Sequence, residues 1–239
     1  MIKNIIIGKN STITKYTYRY LKNTCVLSAN ELREKLLKKE IKNFKKVNLI
    51  FNNFYPSKNL NKVNTNDYKK FCELSLEKTS FVLAKIPSSK INKIIYTSSA
   101  SVYRISENLN NPNKDDFNRE LYSSFKLAAE KLIINFSNNN KKDYFIMRLF
   151  NIYGNSMDEF SFIENIINSK KNNRKINLIN NGNSIRDFIH VNDIGKIYSI
   201  FLNKKIKNGI FDLGTGNGYL TKDIINYLNF SNSKIIKKN

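Results

Sequence analysis

The pair Tyr122 and Lys126 is the first feature of this sequence that could do chemistry. The two residues are four positions apart, so on a helix the phenol and the ammonium lie on one face. An unperturbed tyrosine has a pKa of about 10. A fixed cation beside it favours the phenolate, so the tyrosine could exchange a proton closer to neutral pH. The chain has 13 Tyr and 41 Lys and Arg residues, so the spacing alone also fits an exposed helical pair.

A run of apolar and hydroxyl residues lies upstream of this pair, from Ile94 to Tyr103 (IIYTSSASVY). Its apolar part predicts a buried strand over 94–97, followed by a turn at Ser98 and Ser99. A serine at that point could donate a hydrogen bond to a substrate oxygen, and Tyr122 could take the proton from that oxygen or return it. The two segments together therefore predict a proton-transfer site.

The elements that have to position these residues alternate along the first part of the chain. Short apolar runs predict strands at Ile5–Ile7, Cys25–Leu27, Val47–Phe51, Ile94–Thr97 and Tyr144–Leu149. Helical patterns occupy residues 12–21, 31–39, 67–85 and 121–136. Such alternation predicts an α/β fold, a parallel sheet with helices on both faces. Ligands bind beyond the carboxyl ends of such strands, where Gly8, Ser99 and Asn151 lie.

The alternation becomes less regular after Asn155. A helix near 159–170, a strand at 176–179 and a polar turn at 180–184 predict a smaller lobe. Residues 193–202 and 209–213 could return to the main sheet as a helix and a strand. We therefore expect a core domain over 1–153 and a small substrate-binding lobe over 154–239, with about 193–213 returning to the core.

The formal net charge of +22 raises the question of nucleic-acid binding. The basic residues are scattered, however, and form neither a dense basic helix nor a repeated aromatic–basic motif. We therefore expect no nucleic-acid partner. A positive field of this size still favours anionic small molecules such as nucleotide diphosphates.

Several other classes of protein are disfavoured by simple counts. The chain has only two cysteines, without a CxxC spacing, and His190 is its only histidine, so a Cys/His zinc site is not expected. No apolar run approaches the roughly 20 residues that span a bilayer. The amino-terminal segment MIKNIIIGKN predicts a first buried strand and not a signal peptide. We expect a cytoplasmic protein without a membrane partner.

Three further motifs follow in order: 147–154 (MRLFNIYG), 186–193 (RDFIHVND) and 209–216 (GIFDLGTG). Together with the strand ending at Ser99 and the Tyr122–Lys126 pair, they make the chain resemble an extended short-chain dehydrogenase/reductase of the nucleotide-sugar epimerase/dehydratase family. Its compact first half also resembles the dTDP-4-dehydrorhamnose reductases. The resemblance implies a Rossmann-type sheet with a small, truncated carboxyl-terminal substrate lobe. It also implies a homodimer built on the helix that carries Tyr122 and the long helix before it.

The resemblance implies a role for each matching residue. Ser99 would hold the sugar oxygen, Tyr122 would act as the general acid/base, and Lys126 would lower the pKa of that tyrosine and hold the nicotinamide ribose. Asn151 and Arg186 would bind the substrate diphosphate, a task that suits a guanidinium. The cofactor, NAD or NADP, would contact a set of eight residues: Gly8, Asn10, Ser11, Ile13, Asn52, Tyr122, Lys126 and Phe150.

The chain departs from the family pattern mainly at the cofactor end. The turn that reads GxxGxxG in the family is GKNSTIT here, so only Gly8 remains, and Thr14 adds β-branched bulk where little is usual. Residues 28–30 (SAN) offer neither an acid for NAD nor an arginine for NADP. Residues 52–55 (NNFY) are bulky where the family prefers small ones and could crowd the cofactor path. In the helix that follows, Ser75 stands where the family carries an Asn, whereas Thr79 matches the family pattern.

The sequence therefore predicts an NAD(P)-dependent nucleotide-sugar epimerase or reductase. A dehydratase is less expected, because Ala100 and Ser101 stand where dehydratases of the family carry Asp-Glu. The alternatives are a catalytically degenerate relative that binds nucleotide without turnover, and a basic nucleic-acid-binding protein. The segment 212–218 (DLGTGNG) also resembles a methyltransferase motif, but only 21 residues follow it, too few for that fold.

Overall fold

The computed structural model describes residues 2–55, 65–106, 117–154, 161–231 and 234–238. Its strands are β1 (Ile2–Ile7), β2 (Thr24–Leu27), β3 (Lys46–Phe51), β4 (Ile91–Ser99), β5 (Asp143–Leu149), β6 (Asn151–Tyr153), β7 (Ile176–Ile179), β8 (Ile185–His190), β9 (Gly209–Leu213), β10 (Gly218–Leu220) and β11 (Ile235–Lys238). Its α-helices are α1 (Thr12–Tyr20), α2 (Glu34–Ile41), α3 (Tyr68–Cys72), α4 (Lys78–Lys85), α5 (Phe117–Asn140), α6 (Phe162–Lys171), α7 (Val191–Asn203) and α8 (Thr221–Tyr227).

A six-stranded, fully parallel sheet forms the centre of the molecule, in the order β2-β1-β3-β4-β5-β9. The strand order reverses between β1 and β3, which is where ligands bind in sheets of this kind. Residues 5–7 and 49–51 are fully buried, as expected for parallel strands covered on both faces. The predicted α/β fold of Rossmann type is confirmed.

Two helical layers cover this sheet. Apolar residues of α2, α4 and α5 pack on one face, around Leu37, Val82 and Ile133. Apolar residues of α7 pack on the other face, around Ile194 and Tyr198, and the neighbouring α1 joins them. The residues on the two faces of β4 alternate accordingly, so the strand presents one set of side chains to α5 and another to α7.

The structure extends or interrupts several predicted elements. The strand predicted over 94–97 runs from Ile91 to Ser99, so both serines belong to β4 and not to a turn after it. The helix predicted over 67–85 is broken by a π-helical turn, Glu73–Glu77, between α3 and α4. The helix predicted near 159–170 begins at Phe162, and residues 155–160 lie outside the described part of the chain.

The remaining strands form two small sheets, β10-β8-β6 and β11-β7. A separate apolar core lies beside them, with Ile166, Leu178 and Ile225 at its centre. The strand β9 instead pairs with β5 and closes the large sheet. We propose that the segments around this second core form a substrate-binding lobe, divided from the sheet domain near residue 154. Among the described residues, no helix is long and apolar enough to cross a membrane.

Candidate active site

The candidate catalytic pair lies on α5, next to the carboxyl end of β4. Tyr122 is partly buried, and its phenol is hydrogen-bonded to the Ser99 hydroxyl. The Ser99 Oγ also accepts a hydrogen bond from the Ser101 backbone N–H at 3.2 Å, so its own proton is available for the tyrosine. Burial raises the Tyr122 pKa to about 12, and the bond from Ser99 opposes that rise. The structure thus brings Ser99 and Tyr122 into direct contact.

The Lys126 side chain lies below this pair and is only 4% exposed. Its Nζ donates a hydrogen bond to the Thr97 carbonyl oxygen at 2.7 Å. Three aromatic rings surround it, with centroids 4.1, 5.1 and 5.7 Å from Nζ for Phe54, Tyr96 and Tyr122. Burial lowers the Lys126 pKa to about 7, and the Glu130 carboxylate opposes this effect.

These contacts correct one expectation about the pair. We expected the Lys126 ammonium to lower the Tyr122 pKa, but burial dominates and the tyrosine pKa is raised. Near neutral pH the lysine is itself only partly charged, because its own pKa lies near 7. In the protein alone, Ser99 is therefore the group that favours the phenolate.

A buried ion pair supports the site from the next turn of α5. The Glu130 carboxylate, 1% exposed, accepts hydrogen bonds from Arg148 Nη2 at 2.7 Å and Nε at 3.1 Å. It also accepts a hydrogen bond from the Ser98 hydroxyl on β4. The Arg148 guanidinium stacks on the Tyr103 ring, whose hydroxyl donates to Asp212 at 2.8 Å. These bonds join α5 to the ends of β4, β5 and β9.

The turn after β1 requires the one glycine that remains in it. Gly8 has φ +113°, and a Cβ there would lie 2.7 Å from the Asn52 and Asn53 backbones. The turn therefore passes against the end of β3 more closely than any side chain permits. Ser11 is the amino-terminal cap of α1, and its side chain makes no capping bond. Such a turn, followed by a helix amino terminus, is suited to an anion.

Thr14, which we expected to add bulk to this turn, instead fixes it. Its hydroxyl donates to the Gly8 carbonyl at 2.8 Å and accepts from Asn52 Nδ2 at 3.0 Å. The Asn52 Oδ1 accepts a hydrogen bond from the Thr97 hydroxyl at 2.5 Å. The same Thr97 hydroxyl oxygen lies 2.6 Å from the Tyr198 hydroxyl. Since Thr97 already donates to Asn52, Tyr198 has to be the donor in that last bond. A continuous relay of buried hydrogen bonds thus joins α7 to the Gly8 turn.

The other predicted cofactor residues lie around the same edge. Asn10 is exposed in the turn, and Ile13 packs on the α7 side of the sheet. The Asn52 amide is used within the relay. Phe150 follows β5, and its backbone N–H donates to the Leu213 carbonyl at 3.1 Å, which ties β5 to β9.

The two residues predicted to bind the substrate diphosphate, Asn151 and Arg186, lie on the small sheet β10-β8-β6. Asn151 Nδ2 donates to the Asp187 carbonyl at 2.9 Å, so this side chain joins β6 to β8. The Asp187 carboxylate accepts three bonds of 2.8 Å, from the Thr215 N–H and hydroxyl and from the Gly216 N–H. It therefore holds the glycine-rich turn after β9. Arg186 is partly exposed on β8.

Sequence reasoning missed several residues that shape the site. Glu130 is four residues after Lys126, and this helical spacing could have revealed it. Tyr219, 47% exposed, pairs with Arg186 across β10 and β8, so both project from one face. Tyr96 is fully buried under Lys126, and within the described part of the chain its hydroxyl has no hydrogen-bond partner. Across the described ranges of the chain, no group of three His, Cys, Asp or Glu side chains is arranged to hold a metal ion.

Solved structures that share this fold include nucleotide-sugar enzymes. The Thermus thermophilus UDP-glucose 4-epimerase, solved with NAD, is 14% identical with a TM-score of 0.76, covering all of this chain and 86% of that one. The Bacillus anthracis dTDP-glucose 4,6-dehydratase, also solved with NAD, is 16% identical with a TM-score of 0.74, covering all of this chain and 84% of that one. At these identities the likeness shows a shared fold.

The sequence comparisons define the family. The sequence model of the NAD dependent epimerase/dehydratase family matches residues 15–214, so the chain belongs to this family. The match begins after the turn that contains Gly8 and Thr14. A dTDP-D-glucose 4,6-dehydratase of Dictyostelium discoideum is 28% identical over 66% of this chain and 40% of its own length. An ADP-L-glycero-D-manno-heptose-6-epimerase of Brachyspira hyodysenteriae is 28% identical over 63% and 50%. The chain thus matches half or less of the length of each of these two relatives.

Proposed function

We propose that this protein is an NAD(P)-dependent nucleotide-sugar epimerase or reductase with Tyr122 as its general acid/base. The observation that carries the proposal is the direct contact between the Ser99 hydroxyl and the Tyr122 phenol. This contact lies at the carboxyl end of β4, with Lys126 one helical turn away on α5. Membership of the family supports the same reading.

Each residue of this group has a separate task in the proposed reaction. Ser99 donates its proton to the reacting sugar oxygen and holds that oxygen beside Tyr122. Tyr122 takes the hydroxyl proton when the sugar carbon is oxidised and returns it when the carbon is reduced. Lys126 remains on one face of the tyrosine and provides N–H donors for a ribose hydroxyl. The partly buried position keeps bulk water away from the proton transfer.

The turn at Gly8 and the amino terminus of α1 fit the pyrophosphate of a dinucleotide. The close approach of Gly8 to β3 leaves backbone N–H groups at the start of α1 to face an anion. A bound nicotinamide would supply the hydride acceptor for the sugar carbon. We propose NAD as the cofactor of choice, because the family is NAD-dependent, although residues 28–30 do not distinguish it from NADP.

Asn151 and Arg186 are proposed to bind the substrate diphosphate. Both lie on the small sheet beyond the carboxyl end of β5. The guanidinium provides the paired N–H groups that suit phosphate oxygens. The net charge of +22 favours an anionic substrate of this kind.

Water elimination is not part of the proposed reaction. The residues that follow Ser99 are Ala100 and Ser101, and neither can act as the acid or the base that removes a water molecule. The sugar would therefore leave with its carbon–oxygen skeleton intact, epimerised or reduced at one carbon. The alternative, a degenerate relative that binds nucleotide without turnover, is supported by the raised Tyr122 pKa and by the aromatic rings around Lys126.

Titration with NADH and NADPH, followed by turnover assays on a panel of UDP-, dTDP- and ADP-sugars, tests the proposal. We expect micromolar to millimolar cofactor binding and a measurable reaction with at least one sugar. Tyr122→Phe should lower kcat by about 100-fold or more while cofactor binding remains measurable, whereas the exposed control Tyr227→Phe should change neither. Cofactor binding without turnover on the panel would favour the degenerate relative. Failure to bind either cofactor at millimolar concentration would refute the proposal.

We propose in addition that two copies of the chain pair through α5 and the α3–α4 segment. A groove of about 590 Å³ runs between these helices and is largely apolar, with Leu76, Ala128 and Leu132 in its lining. Glu77 and Lys131 line the same groove, so a second copy could pair opposite charges across it. Leu132→Arg should then give a monomer in sedimentation velocity. A wild-type protein that sediments as a monomer even at the highest protein concentration tested would contradict this assembly.

A further inference from the structure

The Phe54 ring covers the lysine of the proposed active site. Its centroid lies 4.1 Å from Lys126 Nζ and 4.9 Å from the Tyr122 ring, which it meets edge to face at 70°. Phe54 therefore contacts both members of the proton-transfer pair. It lies in the loop after β3, on the same sheet edge as the Gly8 turn.

The residues on either side of Phe54 hold this loop in place. The Asn53 amide donates to the Leu74 carbonyl at 3.0 Å and to the Thr79 hydroxyl at 3.2 Å. Tyr55 is 4% exposed and packs against the Phe71 ring at 4.8 Å. Both neighbours are buried, while Phe54 itself is partly exposed. The Phe54 ring also meets the Phe71 ring edge to face at 6.1 Å. The Phe54 side chain can thus turn outward by giving up its own ring contacts, while the bonds of Asn53 and the packing of Tyr55 stay in place.

The position of Phe54 determines how a ligand can reach Lys126. An ammonium has three N–H donors, and one of them is used by the Thr97 carbonyl. The other directions face Phe54, Tyr96 and Tyr122. Tyr96 is fully buried in β4, and Tyr122 is held by Ser99. Phe54 is therefore the ring of the three that can leave without breaking the sheet or the catalytic hydrogen bond.

We propose that Phe54 is a cover over Lys126, which a ribose hydroxyl has to displace before it can bind the amine. The inference rests on the proposed dinucleotide-dependent function and adds a specific control on it. A protein whose binding-competent conformation is a minor one has its apparent affinity reduced by that fraction. The cover thus weakens cofactor binding in the wild type, and its removal strengthens it.

Accessibility of the Lys126 amine is measured first, without any cofactor. The full-length protein is treated briefly with an amine-acylating ester, and acylation at each lysine is quantified by peptide mass spectrometry. Lys35, exposed on α2, serves as the internal reference. We expect Phe54→Ala to raise the rate at Lys126 about tenfold relative to Lys35, on the scale of one lost cation–ring contact. The control Tyr227→Ala removes an exposed ring on α8, outside this loop, and should leave the Lys126 rate unchanged.

Cofactor affinity is measured second, by NADH fluorescence and calorimetry. We expect Phe54→Ala to bind NADH about tenfold more tightly than the wild type, and Phe54→Leu to fall between them. An unchanged acylation rate at Lys126 in both Phe54 variants would overturn the cover, whatever the affinities. Faster acylation with unchanged NADH affinity would overturn its control of cofactor binding. Faster acylation in proteins that all fail to bind NADH would support the cover and refute the proposed function instead. Because Phe54→Leu keeps apolar bulk in the loop, it preserves the test if the alanine variant unfolds.

Discussion

Replacing Lys126 by Met removes an amine that burial holds at a pKa of about 7, and keeps an unbranched side chain in its place. The ordinary lysine value is 10.5, so in the unfolded chain this amine remains protonated up to a much higher pH. Between these two values the unfolded state binds more protons than the folded state. The contribution of Lys126 to the free energy of unfolding therefore rises with pH over this window.

The size of the effect follows from the same two values. At 1.36 kcal/mol for each pH unit of difference, protonation of Lys126 costs the folded state up to about 5 kcal/mol. Most of this cost applies at pH 7, and little of it at pH 10. The stability of the wild type relative to Lys126→Met should therefore improve by about 4 kcal/mol between pH 7 and pH 10.

Urea unfolding at four pH values from 7 to 10 measures this difference. Lys35→Met is the control, because it removes one exposed lysine from helix α2 and so corrects for the change in overall charge. We expect its stability difference from the wild type to stay constant within about 0.5 kcal/mol. If Lys126→Met behaves in the same way, the Lys126 pKa is ordinary and the account of its burial is refuted.

Three other substitutions test the contacts around the site. Thr14→Val should destabilise the protein by about 1–3 kcal/mol in urea unfolding, because Asn52 Nδ2 loses its buried acceptor; a change below about 0.5 kcal/mol would show that water replaces the hydroxyl. Glu130→Gln should cost about 3–5 kcal/mol, since the Arg148 guanidinium keeps its charge without a carboxylate. If Arg148→Met in the same background fails to recover part of that loss, the ion pair is not the cause. Gly8→Ala should prevent stable folding of the first turn, which amide hydrogen exchange would detect.

Most of the large sheet could be predicted from the sequence, because buried parallel strands are continuous apolar runs. The runs at 5–7 and 47–51 are too short for helices, which favours strands, and both are strands in the structure. The short strands β6, β8 and β10 escaped prediction. Their residues are partly polar, and pairing between distant segments defines them, which leaves no local period in the sequence.

The sequence predicted which side chains lie together in the candidate site but not the direction of their pKa shifts. The structure places Tyr122 and Lys126 beside the end of β4, where Ser99 lies, while the roles of these residues stay predictions. The direction of the pKa shifts depends on burial by residues far away in sequence, such as Phe54 and Tyr96, which no spacing rule connects to α5. The π-helical turn at 73–77 could not be predicted either, because it is contacted by a residue distant in sequence. The Asn53 side chain donates a hydrogen bond to the Leu74 carbonyl within this turn.

The relay that runs from Tyr198 through Thr97, Asn52 and Thr14 to Gly8 also limits how this protein can change over generations. The three inner members, Thr97, Asn52 and Thr14, each donate to one partner and accept from another, so substituting one of them leaves two buried groups without bonds. Restoring the glycine of a standard turn at position 14 would therefore harm this chain unless Asn52 changed with it. An intermediate that changes one relay residue alone loses buried hydrogen bonds and stability, so we expect the relay residues to change together.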